Sequence, residues 1–153
     1  LVLSTLHTND AASTVTRMID MGIEPFNVAS AVMLITAQRL VRRICNNCRV
    51  EARYDQSLLD ASGFTSEEIK TTTFFTGEGC EDCNDTGYAG RQGLYEVMVM
   101  NSELRQHVLK GASTDEIKAT AVADGMITLR MDGLQKVCAG ITTLDEVIKE
   151  TAL

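Results

Sequence analysis

The 153-residue sequence has one proline, no tryptophan and no long apolar run. Collagen-like, low-complexity and disordered proteins carry far more proline, glycine or charge, so these classes are excluded. The longest stretch without a charged residue, Pro25 to Gln38, is shorter than the roughly 20 apolar residues that a membrane-spanning helix needs. We therefore expect a globular chain without a transmembrane segment, long enough for one ordinary domain or two small ones.

Basic charge is also scarce, since 14 Lys and Arg stand against 21 Asp and Glu and the net charge is −7. A nucleic-acid-binding domain normally has a basic excess, so no nucleic-acid partner is expected. The charge is uneven along the chain, because residues 1–53 carry six basic and four acidic side chains, whereas residues 54–153 carry eight and seventeen. Five arginines fall within residues 39–53.

The beginning of the chain lacks an initiator methionine and the basic and apolar regions of a signal peptide. The run Leu1–Leu6 predicts a buried parallel strand, and we interpret the chain as a piece of a larger protein. Ligands bind beyond the carboxyl ends of strands in open α/β sheets, so His7 is a candidate for orienting a water or contacting a phosphate. The alternative, that the polar residues after the strand only cap a helix, stays equally open.

Two helices are predicted next. Asn9 or Asp10 can cap a helix at about residues 11–21, and Pro25 fits the first turn of a second helix that runs to about Ile44.

The second predicted helix has an apolar face and, opposite it, Arg39, Arg42 and Arg43. A solvated helix face is the usual explanation for such arginines, and phosphate binding across a subunit boundary is the alternative. Val32 and Ile35 lie among the arginines, which indicates packing against other parts of a larger domain or a subunit interface.

The rest of the chain predicts short elements. They are a helix at 55–61, a helix opened by the capping box Thr65–Glu68, strands at 71–76 and 93–100, and small helices within 101–153 that include capping boxes at Ser113–Glu116 and Thr143–Glu146.

Two C-x₂-C pairs, Cys45 with Cys48 and Cys80 with Cys83, are separated by 31 residues. Two such turns supply the four thiolates of a structural zinc site. The spacer exceeds the 15–20 residues of a compact ribbon, so it must hold structure of its own. Disulfides, an iron–sulfur cluster and a redox dithiol are the alternatives, and disulfides are disfavoured without secretory signs. Cys138 lies on an apolar helix face and is interpreted as a core residue.

Several motifs together resemble one family, that of the type IV pilus assembly ATPases and type II secretion ATPases. Their sequences are more similar to those of the pilus members. In chain order they are Leu1–Ala12, which is similar to the family's His box, Met21–Phe26, Ala37–Cys45, the paired cysteine motifs, Thr86–Val97, Asp124–Met126 and Gly140–Val147. They cover nearly the whole chain. The motifs fit pilus, secretion and competence systems alike.

The resemblance implies an α/β fold in three consecutive parts. Residues 1–44 are expected to be the remnant of a P-loop RecA-like ATPase core, with one or more strands plus helices. Residues 45–99 are expected to form a small α+β tetracysteine zinc module, and residues 100–153 a helical C-terminal tail.

The resemblance also implies roles for site residues. His7 matches the His-box histidine, near the γ-phosphate region of the nucleotide site. The tetracysteine zinc motif is matched by Cys45, Cys48, Cys80 and Cys83. A further family motif, with a candidate role in nucleotide contact or at a subunit interface, is matched by Arg39, Arg42 and Arg43.

The implied function is that of the C-terminal part of a cytoplasmic homo-hexameric motor, peripheral to the inner membrane. Such a motor hydrolyses ATP with Mg²⁺ and acts on an inner-membrane platform protein. The 153 residues contain no G-x₄-G-K-[S/T] sequence to cradle phosphates, so we expect this chain alone to be inactive. The alternative function is a stand-alone zinc-ribbon module that binds nucleic acid or protein.

Overall fold

A computed structural model describes residues 1–152 as a mixed α/β chain, in agreement with the predicted class. In chain order the elements are α1 (Ala11–Asp20), α2 (Pro25–Ala31), β1 (Leu34–Ile44), β2 (Arg49–Ala52), α3 (Gln56–Ser62), α4 (Ser66–Thr71), β3 (Phe74–Gly77), a short 3-10 helix (Glu81–Cys83), β4 (Tyr88–Val99), α5 (Ser102–Leu109), α6 (Thr114–Ala123), α7 (Leu129–Cys138) and α8 (Leu144–Thr151). None of these helices combines the length and the apolarity that crossing a membrane requires.

The chain forms two compact units, and each joins two separate stretches of sequence. The helical unit comprises Leu1–Gln38 and Tyr95–Thr128. The cysteine unit comprises Arg39–Leu94 and the chain from Leu129 onward. The division falls within β1 and within β4, and the assignment of residues 1–44, 45–99 and 100–153 to three consecutive parts stays a prediction.

Helices α1, α2, α5 and α6 surround the core of the helical unit. Its buried side chains are Ala11, Ala12, Val15, Val28, Ala29, Ile35, Met98, Met100, Leu104, Val108, Ile117, Ala121 and Met126. Helix α1 begins where predicted, because the Asp10 carboxylate accepts a hydrogen bond from the Ser13 backbone N–H at 2.9 Å. Lys118 of α6 donates to the other carboxylate oxygen of Asp10 at 2.9 Å, so the cap also joins α1 to α6.

A second carboxylate lies at the beginning of α1. Glu96 of β4 is 1% exposed and accepts a hydrogen bond from the Ala11 backbone N–H at 2.8 Å. The first N–H groups of a helix have no partner within the helix and carry partial positive charge, so a buried carboxylate is stabilised there. This contact holds α1 to the buried face of β4.

The predicted second helix is wrong beyond its first two turns, because α2 ends at Ala31 and the chain continues as strand β1. Along β1 as far as Val41, buried and half-buried side chains alternate with exposed ones, from Ile35 to Val41, and Ile44 at the end of the strand is buried as well. The apolar positions of this segment also fit a helical face, but that face left Ile35 among the arginines. This misfit, together with the β-branched residues, is the signal that favours a strand.

Strand β1 pairs with β4 in a two-stranded sheet. Near one end the Met100 backbone N–H donates to the Met33 carbonyl, and near the other the Cys45 N–H donates to the Gly87 carbonyl, each at 3.0 Å. The two strands are therefore antiparallel. Strand β4 includes most of the strand predicted at 93–100 and begins five residues earlier.

The predicted strand at Leu1–Leu6 is absent, since this segment belongs to no helix or strand of residues 1–152. Leu1, Val2 and Leu3 are exposed. A strand needs a neighbour to accept its backbone hydrogen bonds, and the described strands pair only as β1 with β4 and β2 with β3.

In the cysteine unit, β2 and β3 pair antiparallel with Val50 opposite Thr76, and α3 and α4 connect them. The predicted helix at 55–61 and the capping box Thr65–Glu68 are confirmed, and the predicted strand at 71–76 begins instead at Phe74. The core of the unit is formed by Leu59, Phe64, Phe74, Leu134, Val137, Leu144 and Val147. Cys138 packs against this core, as predicted.

The small helices predicted after residue 100 are present as α5 to α8. Ser113 and Glu116 form the predicted capping box of α6. At α8 only half of the predicted box is present: the Glu146 backbone N–H donates to the Thr143 hydroxyl at 3.3 Å, whereas the Glu146 carboxylate binds another partner.

Candidate metal centre

Two turns of the cysteine unit bring its four paired cysteines together. Cys45 and Cys48 lie in the turn between β1 and β2, whereas Cys80 and Cys83 lie at the two ends of the short 3-10 helix. All four sulfur atoms lie within 4.8 Å of one another. Among residues 1–152 this is the one cluster of His, Cys, Asp and Glu side chains that can hold a metal ion.

The spacing of the sulfurs fits a single tetrahedral ion. The Sγ–Sγ distance is 3.9 Å between Cys45 and Cys80, 3.8 Å between Cys48 and Cys83, and 3.7 Å between Cys80 and Cys83. Four thiolates at about 2.3 Å from a zinc ion in tetrahedral geometry are about 3.8 Å apart. A disulfide needs an S–S distance of about 2.05 Å, and all five cysteines are free thiols. Three of the six sulfur pairs therefore already have the separation that a tetrahedral zinc ion requires.

Backbone N–H groups are directed at the sulfurs. Gly79 donates to the Cys48 sulfur at 3.3 Å, and Cys80 and Gly87 donate to the Cys83 sulfur at 3.2 and 3.3 Å. Such donors stabilise a thiolate, as they do around structural metal sites.

The pKa values of the thiols follow from these contacts. Burial opposes ionisation of Cys83, but the N–H donors outweigh it and lower the pKa of this thiol to about 6. Burial raises the pKa of Cys48 to about 12. Four sulfurs this close cannot all be negative without a cation between them, which a divalent metal ion would supply.

Glycine is needed behind the second cysteine pair. A Cβ atom on Gly77 would lie 2.0 Å from the Gly87 carbonyl oxygen, and Gly87 has a φ of +76°, in the left-handed region. Only glycine combines this conformation with so close a backbone approach. The close approach of Gly77 and Gly87 positions the Gly87 N–H against the Cys83 sulfur and the Gly87 carbonyl against the Cys45 N–H.

The side chains around the centre are mixed in charge. Arg49, which follows the first pair, stacks on Phe75 with its guanidinium carbon 3.6 Å from the ring centroid. The second pair is surrounded by exposed Glu81, Asp82 and Asp85.

The predicted site residue His7 is exposed and lies before α1 in the helical unit. It lines an open pocket of about 380 Å³, together with Thr8, Asn9, Ser13, Thr16, Arg17, Asp20 and Thr114. Hydroxyl groups are paired within this pocket, since Thr16 and Thr114 are 2.7 Å apart. The role of His7 in orienting water or phosphate stays a prediction.

Arg42, predicted as a nucleotide or interface residue, binds within the cysteine unit. Its guanidinium donates to one carboxylate oxygen of Glu146 at 2.6 Å, and its backbone N–H donates to the other at 3.0 Å. The same guanidinium lies over the Tyr88 ring, 4.0 Å from its centroid. Arg39 is half-buried and Arg43 is exposed, and the predicted contacts of these three arginines with nucleotide or another subunit stay predictions.

The pairing of Arg42 with Glu146 was not predicted from the sequence. Glu146 lies three residues after the N-cap Thr143, at the N3 position of a capping-box pattern. A carboxylate there normally accepts a hydrogen bond from the backbone N–H of the N-cap residue. The two partners are 104 positions apart, so no local pattern connects them. Hydrogen bonds from Arg42 lower the pKa of the Glu146 carboxyl, although burial opposes ionisation.

Comparison with known proteins identifies the class. Residues 1–149 match the family described as type II/IV secretion system protein. The chain is 47% identical to the type IV pilus assembly ATPase PilB of Thermus thermophilus and 51% identical to that of Myxococcus xanthus. It is 42% identical to the type II secretion system protein HxcR of Pseudomonas aeruginosa.

The chain therefore belongs to the type II/IV secretion system protein family, and the resemblance found in its motifs is confirmed. Each of the three alignments covers 99% of this chain. The chain spans 17%, 27% and 28% of the length of these relatives, respectively.

The Glu146 contacts predict an acid-dependent loss of stability. The pKa of Glu146 is lower in the folded state than its ordinary value of 4.5. The ionised carboxylate therefore contributes fully to the free energy of unfolding above about pH 5.5, and this contribution is lost as the pH falls through the folded-state pKa. We expect Glu146→Gln to lower the free energy of unfolding by about 1–2 kcal/mol at pH 7, since Arg42 is half exposed. The difference from wild type should shrink below pH 4.5.

Urea denaturation of both proteins at the same metal concentration, between pH 3 and 7, measures this difference. Glu150→Gln is the matched control on the same helix, since Glu150 lies 3.9 Å from the exposed Lys149 and interacts with Arg42 through charge alone. We expect it to change stability by less than about 0.5 kcal/mol throughout. A Glu146→Gln difference that stays constant down to pH 3 contradicts the account.

Proposed function

We propose that this chain is part of a hexameric ATP-hydrolysing motor that powers type IV pilus assembly. The observation that carries the proposal is the family match over residues 1–149, together with identities of 47% and 51% to pilus assembly ATPases. The type II secretion protein quoted above is 42% identical, which makes type II secretion the second candidate system. The motor works in the cytoplasm at the inner membrane, where it drives a platform protein.

Residues 1–44 belong, in this proposal, to the remnant of a RecA-like ATPase core, residues 45–99 to the zinc module and residues 100–153 to the helical C-terminal tail. His7 contributes to the nucleotide site by orienting water or contacting the terminal phosphate, which its exposed position beside an open polar pocket allows. Arg39, Arg42 and Arg43 are retained as candidates for nucleotide or subunit contact. ATP and Mg²⁺ bind with the help of residues of the full-length protein, and the chain alone does not hydrolyse ATP.

The four cysteines bind one structural zinc ion in this proposal. Sulfur distances of 3.7–3.9 Å and N–H groups directed at Cys48 and Cys83 support it. Four protein ligands leave no open position for a substrate, so the metal stabilises the fold and takes no part in catalysis. The acidic side chains beside the second pair would repel phosphate, which disfavours the alternative of a nucleic-acid-binding zinc ribbon.

The role of His7 is tested by His7→Ala in the full-length protein. We expect kcat for ATP hydrolysis to fall at least tenfold, because a group that positions water or phosphate acts in the transition state. His107→Ala, which changes the other histidine of the chain, should leave kcat within twofold. Equal kcat values for the two variants would contradict the assignment of His7.

Zinc binding is tested by metal analysis of the purified chain. We expect about one zinc per chain in wild type and in Cys138→Ser, and strong loss of zinc in Cys83→Ser. Because metal binding and folding are coupled, Cys83→Ser should also lose near-ultraviolet circular dichroism. A wild-type chain that takes up no zinc, or a Cys83→Ser variant with full zinc content, would refute the proposal.

A further inference from the structure

Helix α8 is connected to both cysteine pairs by a small set of contacts in the cysteine unit. On the side of the first pair, the segment before α8 lies along the end of β1. The Ile44 backbone N–H donates to the Ile141 carbonyl at 2.9 Å, and the Thr142 hydroxyl donates to the Arg42 carbonyl at 2.8 Å. Cys45 follows Ile44 directly, so its backbone position depends on these bonds.

On the side of the second pair, the connection passes through Gly87 and Tyr88. The Gly87 N–H donates to the Cys83 sulfur, and the Gly87 carbonyl accepts from Cys45 at 3.0 Å, so one peptide segment contacts both pairs. Tyr88 is the next residue, and its hydroxyl lies 3.0 Å from the hydroxyl of Thr143. Thr143 is the N-cap residue of α8.

The Arg42 guanidinium joins these two sides. It lies over the Tyr88 ring and binds Glu146 in the first turn of α8. Glu146 is 4% exposed, and Thr142 and Thr143 are each 1% exposed, so the α8 side of these contacts is buried, whereas the Arg42 side chain is half exposed. A planar guanidinium is suited to such a double role, because it can stack on a ring and donate to a carboxylate at once.

We infer that Arg42, Tyr88 and Glu146 couple the metal centre to helix α8, so that Zn²⁺ binding at the cysteines and docking of α8 stabilise each other. This inference rests on the proposed zinc site. When Zn²⁺ fixes Cys83 and Cys45, it fixes Gly87 between them, and Tyr88 then presents its ring and hydroxyl to Arg42 and Thr143. Coupling of this kind is reciprocal, so loosening the contacts at α8 weakens Zn²⁺ binding by the same factor.

The test compares the Zn²⁺ dissociation constants of the purified wild-type chain, Arg42→Gln and Lys149→Gln, measured by competition with a colorimetric chelator. Both variants remove one positive charge, but Lys149 is 71% exposed, lies 3.9 Å from Glu150 and acts on Glu146 through charge alone. We expect Arg42→Gln to bind Zn²⁺ at least fivefold more weakly than Lys149→Gln. Affinities equal within twofold would overturn the coupling while leaving the zinc site intact, whereas no Zn²⁺ uptake by wild type would overturn both.

A second measurement needs no variant and so does not depend on Arg42→Gln folding. Amide hydrogen exchange of the wild-type chain is recorded with saturating Zn²⁺ and after chelation, with α6 as the internal reference. We expect the amides of Val147 and Ile148 in α8 to exchange at least tenfold faster after chelation, relative to α6. Unchanged exchange in α8 would contradict the inference.

Discussion

Four sulfur atoms lie within 4.8 Å of one another at the two ends of a 31-residue segment, and the cysteine unit depends on this juxtaposition. The segment contains β2, α3, α4 and β3, and within the described residues it packs in a cluster of seven buried side chains shared with α7 and α8. Closing such a loop by a metal removes conformational freedom from the unfolded chain, which favours the folded state. The close approach of Gly77 to Gly87 and the N–H groups directed at the sulfurs help to keep the cysteines in this arrangement.

The carboxyl-terminal helix α8 contacts the strand end beside this centre through Arg42. Arg42 was expected on the surface of a helix, available to a nucleotide or a neighbouring subunit. It lies instead at the end of a strand, between the Tyr88 ring and the buried Glu146 carboxylate. Its position three residues before Cys45 therefore connects the metal centre with α8.

Local signals predicted much of this structure. The two C-x₂-C pairs predicted the cysteine cluster, and side-chain caps predicted where α1, α4 and α6 begin, because both depend on residues a few positions apart. The prediction of a helix over β1 was wrong, because the apolar residues of this segment fit a helical repeat as well as the alternation of a strand. Burial of both Ile35 and Val41 distinguishes the strand from the helix. The pairing of Arg42 with Glu146 and the assembly of each unit from two distant stretches depend on contacts between positions far apart in sequence, which no local pattern encodes.

The chain belongs to the type II/IV secretion system protein family, and it spans 17% and 27% of the length of the two pilus assembly ATPases with which it was compared. The central claim is that the four cysteines hold one tetrahedral zinc ion. X-ray absorption spectroscopy at the zinc edge of the purified chain tests it most directly. The account predicts four sulfur ligands at about 2.3 Å and no nitrogen or oxygen ligand. A first shell that contains nitrogen or oxygen, or fewer than four sulfurs, would contradict it.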